Sequence, residues 1–306
     1  MFFATSSLPS SMQQYAIAAN SREITLLKVL VACIFIGRAY QAFYFDISLR
    51  AVLWDEQWAG GLVWLFTGWT WQEYVTNLQV DIAYKWVAYF IGLLWLVCAG
   101  VAIGIKSHQR WARRLLRTGF AFLLLYHLLD WKDRFFMWGL FFEHASQLLA
   151  PLLLIWVVTK AEPIHPRFLL AVKIIIALTF FCHGLFAYGY YPVPHPWQEW
   201  CINVFGFPDG ATAKVFLKVM GILDFIAAAA LFYRPTFPFA VWYCVFWGVM
   251  TALARVFANV YWATFSADIH QWGYELVYRL IHGGLPLLLW YWQRRYHSIT
   301  TEKAVA

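Results

Sequence analysis

Apolar runs long enough to cross a bilayer as helices recur along this chain, and nothing else in the sequence constrains its fold as tightly. A spanning helix needs about 20 predominantly apolar residues, and eight such segments can be drawn, at 26–44, 84–105, 115–131, 136–158, 168–190, 214–233, 237–261 and 274–292. The strand-period alternation of a membrane barrel is absent, so the segments read as helices. With 62% hydrophobic and 13% charged residues among 306, the chain is too apolar for a water-soluble domain. The expected fold class is all-α: a polytopic membrane helix bundle whose principal partner is the lipid bilayer.

Charge sets the direction of threading. Lys106, Arg110, Arg113, Arg114 and Arg117 crowd the link between the second and third segments, which the positive-inside rule places in the cytoplasm. Alternation brings Arg22, Lys160, Arg167, Arg234, Arg294, Arg295 and Lys303 to the same side, while Asp46, Asp55, Glu56, Glu73, Asp130, Glu199, Asp209 and Asp268 fall opposite. Eight crossings with both termini cytoplasmic, in a bacterial inner membrane, satisfy every link. The formal charge of +7 is accounted for by these short loops and provides no patch for nucleic acid. Cys33, Cys98, Cys182, Cys201 and Cys244 form no Cys-x-x-Cys pair, which argues against a thiol–disulfide exchanger. Residues 1–22 read as a cytoplasmic tail without the basic-then-apolar pattern of a cleavable signal. Residues 46–83 form a long external aromatic segment, whose Trp-rich middle at 54–71 lies along the interface or re-enters the membrane.

The chain divides into halves at 23–160 and 161–295, followed by a cytoplasmic tail at 296–306. Lys28 and Arg38 are spaced as Lys173 and His183 are. Gly92 and Trp95 in the second segment match Gly221 and Asp224 in the sixth, and Gln147 and Pro151 in the fourth match His282 and Pro286 in the eighth. Four crossings per copy is an even number, so the copies form a parallel repeat.

The stretch Phe181-Cys182-His183-Gly184-Leu185, then Tyr191-Pro192-Val193-Pro194, Phe205-Gly206-Phe207 and Gly221-Ile222-Leu223-Asp224, resembles the DoxX family of four-helix membrane proteins. The likeness covers the second half; its extension to the first rests on the repeat, where Arg38 replaces His183 and Trp95 replaces Asp224. The resemblance implies a respiratory or redox setting at most: some members look like quinone-linked thiosulfate-oxidising subunits and others associate with oxidative-stress partners, so a membrane redox subunit is the partner to expect.

Ionisable groups inside a bilayer are costly, about 2.5 to 3.5 kcal/mol each on insertion scales, and must pair or face water. Arg38, Glu143, His183, Asp224, Arg255, Glu275, Arg279 and His282 all fall within the drawn segments. Glu275, Arg279 and His282 share one helical stripe. Most of the eight lie near the outer ends of their segments, so oppositely running helices bring them to one layer, expected to form a ligand pocket open to the external side. Arg255, Glu275 and Arg279, flanked by aromatic residues, suit a quinone headgroup or a small anion. The same residues also read as helix-to-helix ion pairs, Arg38 with Glu143 and Arg255 with Glu275.

His183 and His282 can ligate haem or a metal ion, although no ligand-spacing motif accompanies them. His127 reads as a wetted helix end beside Asp130, and His195 as a loop residue. A repeat around a polar midline also suits a carrier for a small solute, but the segments lack the broken helices expected at a transport site. A third reading is a scaffold for an envelope complex, docking through 46–83. No constellation of nucleophile and base singles out a reaction.

Overall fold

The structure, a computed structural model, describes residues 18–305. Residues 1–17 of the N-terminal tail and Ala306 lie outside the described residues. The elements are α1 (Ser21–Tyr44), α2 (Arg50–Leu53), α3 (Glu56–Thr67), α4 (Trp71–Val75), α5 (Leu78–Gly104), α6 (Arg110–Asp133), α7 (Trp138–Glu143), α8 (Ala145–Thr159), α9 (Pro166–Tyr188), α10 (His195–Phe205), α11 (Gly210–Ala230), α12 (Phe237–Phe257), α13 (Phe265–Arg279) and α14 (Ile281–Val305). No strand occurs among the described residues. Helices α1, α5, α9 and α12 are each long and apolar enough to cross a membrane, as a membrane protein requires.

Local sequence explains where the helices begin and end. Asn20 and Glu23 form a capping box that opens α1, and Asp55 and Asp209 accept N–H bonds at the starts of α3 and α11. Gly189 and Gly206 close α9 and α10 at φ 93° and 68°, a left-handed conformation that favours glycine.

Two of the drawn segments are not single helices. The segment at 136–158 is interrupted at His144, between α7 and α8, and the one at 274–292 at Leu280, between α13 and α14. The expectation of unbroken spans is thereby corrected. Each inner piece also carries a proline, Pro151 in α8 and Pro286 in α14. Proline has no N–H to offer the carbonyl four residues back, which here belongs to Gln147 or His282. Polar side chains and freed carbonyls thus occupy the same turns.

Packing occurs in matched pairs. α1 crosses α5 as α9 crosses α11; α13 lies against α1 as α7 lies against α9; and α8 and α14 meet between them. The crossing of α9 and α11 is close because Gly184 and Gly221 face each other. A Cβ on Gly184 would stand 2.9 Å from the Gly221 carbonyl oxygen, and one on Gly221 2.7 Å from the Tyr188 nitrogen.

The aromatic segment at 46–83 is helical rather than a loop. It is held to the bundle by Lys132, whose ammonium lies 2.5 Å from Asp55, and by Arg50, which pairs with Asp81 and sits over the Trp54 and Tyr84 rings. Its helix α3 leaves Trp58, Leu62, Trp64, Leu65 and Phe66 exposed. At the other end α14 continues to Val305, so 296–305 is helical. His195 begins α10 and is not in a loop.

Candidate functional site

The eight ionisable residues read from the sequence form one connected cluster, but not an open polar chamber. Arg38 is 2% exposed. Its terminal nitrogens donate to Gln41 Oε1 (2.8 Å), the Tyr126 hydroxyl (3.1 Å) and Gln147 Oε1 (2.9 Å), and its guanidinium packs on the Tyr126 and Tyr278 rings. The expected Arg38–Glu143 pair is therefore not made. Glu143 instead accepts from Arg279 at 3.4 Å, the two residues standing at the ends of α7 and α13. The expected Arg255–Glu275 pair is present, at 2.8 Å.

Gln147 links the two sides of the cluster. Its side-chain carbonyl accepts a hydrogen bond from Arg38 Nη2 while its Nε2 lies 3.1 Å from His282 Nε2. His282, His183, Glu143, Thr179 and Thr251 in turn line one small void, of about 10 Å³. That is room for a single water with several polar partners. His127 is 2% exposed and stacks on His144 at 4.7 Å, with neither ring nitrogen hydrogen-bonded. It is buried, contrary to its reading as a wetted helix end.

The space for a ligand lies beside this cluster. A cavity of about 500 Å³ sits between α10, α11 and α12, walled by Trp197, Trp200, Phe216, Trp247 and other apolar side chains. Phe205, Phe246 and Phe257 line it and are also 53%, 62% and 71% exposed, so it opens on the flank of the bundle. The pocket expected to be polar and open to the external side is thus apolar and opens sideways. Polar side chains meet it on its inner wall, where His183, Arg255, Thr251 and Tyr243 are placed.

These inner groups are held by their own partners. His183 Nδ1 lies 2.7 Å from Asp224 Oδ2, and the Tyr243 hydroxyl donates to Asp224 Oδ1 at 2.8 Å. The Asp224 carboxylate is completely buried. With Nδ1 committed, His183 has its Nε2 left for a ligand or a water. Its ring stacks on Trp197 at 4.6 Å, which fixes the imidazole plane. Arg255 gives Nε to Glu275 and a terminal nitrogen to the Thr251 carbonyl, and its guanidinium lies 4.7 Å from the centre of the Trp200 ring. The wall thus presents an imidazole edge and a paired guanidinium to an aromatic slot.

No family model, curated protein or solved structure matches the chain. The assignment of a site rests on these side chains alone. Among the described residues no group of three or more His, Cys, Asp and Glu side chains is placed to hold a metal ion.

His183, Asp224 and Arg255 reach the cavity or support it directly, and Glu143 and His282 adjoin it through the small void. Arg38 and Arg279 stand farther back, and Glu275 acts through Arg255. Sequence reading missed Tyr243, Trp197, Trp200, Gln147 and Thr251. None carries a charge, so the search for ionisable groups in apolar runs passes over them. Gln147 alone had a signal, four residues before a helix-internal proline and matched to His282.

Proposed function

We propose that the protein is an eight-span subunit of a bacterial inner membrane, built of two parallel four-helix halves with DoxX-like character in the second. It binds a quinone in the lateral cavity and works beside a membrane redox partner. The observation that carries this reading is the cavity itself. It is a largely aromatic slot of about 500 Å³, reached from the side of the bundle, where an isoprenoid tail resides, with His183, Arg255, Thr251 and Tyr243 among its lining residues. His183 and Arg255 are the contacts for the two ring carbonyls. A small hydrophilic anion fits less well, because most of the wall offers it no partner.

The eight crossings are α1, α5, α6 and α7–α8, then α9, α11, α12 and α13–α14. The basic link 106–117 supports a cytoplasmic placement of both termini. Quinone extracted from the purified protein tests the ligand. Quinone is expected with the wild type and absent from Arg255→Ala and His183→Ala, both still eluting as folded protein; retention in both variants contradicts the assignment.

A second reading, a carrier for a small solute, is favoured by the paired interruptions at His144 and Leu280. Discontinuous helices in corresponding places are the usual setting of a transport site, and Glu143 and Arg279 end the outer pieces here. Uptake of small organic anions into proteoliposomes, abolished by Glu143→Gln but not by Arg255→Ala, selects this reading over quinone binding.

A further inference from the structure

A second void, far smaller, lies between α5 and α6, lined by Ile47, Leu49, Ile91, Trp95, Phe122, Leu125, Tyr126 and Leu129; it measures about 10 Å³. Its walls on α5 and α6 correspond to part of the α11 and α12 walls of the large cavity. Matching Gly92 with Gly221 pairs Ile91 with Met220 and Trp95 with Asp224 at one constant separation along α5 and α11. A second constant separation along α6 and α12 pairs Phe122 with Met250, Leu125 with Leu253, Tyr126 with Ala254 and Leu129 with Phe257. Apart from Asp224, which stands behind His183, every second-half member of these pairs that is not the glycine lines the large cavity.

The packing supports the same pairing. Where Gly221 lies against the backbone of Tyr188, Gly92 lies against the Phe43 ring, and Phe43 and Tyr188 are separated as Arg38 and His183 are. Gln147 and His282, paired by their prolines, touch each other. Residues equivalent in two copies meet only near the axis that relates the copies.

We infer that the first half contains the filled counterpart of the large cavity, closed by Trp95 and Tyr126, so that the chain holds one ligand site rather than two. The inference rests on the reading of two equivalent halves. Trp95 is completely buried, and its indole donates to the Gly119 carbonyl at 3.4 Å. It places an indole where the second half has a smaller, buried carboxylate. The Tyr126 ring stands where Ala254 leaves room, and its hydroxyl is fixed by Arg38 (3.1 Å) and Gln41 (3.2 Å). Arg38, in the place of His183, spends its terminal nitrogens on Tyr126, Gln41 and Gln147. The headgroup contacts of a second site have become internal hydrogen bonds, and its tail slot has become core.

The plug can be removed from one half and moved to the other. Dry apolar cavities take up xenon, which reports space without regard to headgroup chemistry. In crystals of the full chain under xenon pressure, the wild type is expected to hold xenon between α10, α11 and α12 only. The double variant Trp95→Ala/Tyr126→Ala is expected to gain a second xenon position between α5 and α6. Ala254→Tyr is expected to lose the original one, an arm that stands even where the opened variant does not fold.

Xenon in the first half of the wild type overturns the inference. So does an opened variant that keeps the second-half xenon and gains none, or an Ala254→Tyr protein that keeps its xenon. Menadione binding, followed on the same proteins, tests the quinone reading separately: its absence alongside the expected xenon pattern removes the ligand assignment and leaves the one-cavity inference standing.

Discussion

At the scale of single residues, the cluster divides between charges that neutralise each other and a charge that is solvated by neutral groups. Glu143 is buried and Arg279 is its partner at 3.4 Å. Removing one member of a buried pair leaves the other uncompensated, at a cost of about 3 to 5 kcal/mol. Glu143→Ala and Arg279→Ala are accordingly each expected to lower thermal stability in detergent, and the double variant to lose less than the sum of the two; additive losses measured by a double-mutant cycle contradict a coupled pair. Arg38 differs, because its acceptors are Gln41, Tyr126 and Gln147 and its faces are covered by Tyr126 and Tyr278. The sequence marks Arg38 as a charge needing a partner, and counting signs points to Glu143. Which partner is met depends on the rotation of each helix about its axis, and apolar residues on every face of these helices leave that rotation unmarked.

At the scale of elements, the ends and crossings of helices follow from residues that can be read in advance, while the interruptions do not. Asn20 with Glu23, Asp209, Gly189 and Gly206 mark termini in the expected way. The breaks at His144 and Leu280 carry no glycine or proline at the break itself, so the hydropathy of each run continues across them.

The short helices of 46–83 show a further dependence on single side chains. Asp55 caps α3 and meets Lys132 on α6. Its carboxyl is held below the ordinary carboxylate range, first by the Lys132 hydrogen bond and then by the Lys132 charge and the Trp58 and Gln57 amides. A carboxyl whose folded-state pKa is depressed contributes stability that is complete above its unfolded pKa, near 4, and is lost as pH falls through the folded value. Amide protection factors across 56–67, taken relative to the intrinsic exchange rate at each pH, are therefore expected to be high at pH 7 and to fall below about pH 4. Asp55→Asn is expected to show the lowered protection already at pH 7; equal protection factors at both pH values in the wild type contradict this anchoring role.

At the scale of the whole molecule, an all-helical membrane protein was legible because composition and recurring apolar runs depend on no single contact. The site was half legible. Polar residues in apolar runs pointed to His183, Asp224 and Arg255, but the cavity they adjoin is made by Trp197, Trp200, Phe216 and Trp247, which in a chain with 19 tryptophans and 27 phenylalanines do not stand out. The threading is testable by membrane-impermeant maleimide on a cysteine-free background. Ser107→Cys is expected to react only from the cytoplasmic side and Ser266→Cys only from the outer side, and labelling of both from one side contradicts eight crossings.

The central claim is that a lipophilic ring enters the flank of the second half and is met there by His183 and Arg255. Photolabelling of the membrane-embedded protein with an azidoquinone, followed by mass spectrometric mapping of the adducts, tests it most directly. Adducts are expected within 197–205 and 243–257 and are expected to be lost in Arg255→Ala; adducts confined to the first half, or unchanged in that variant, contradict it.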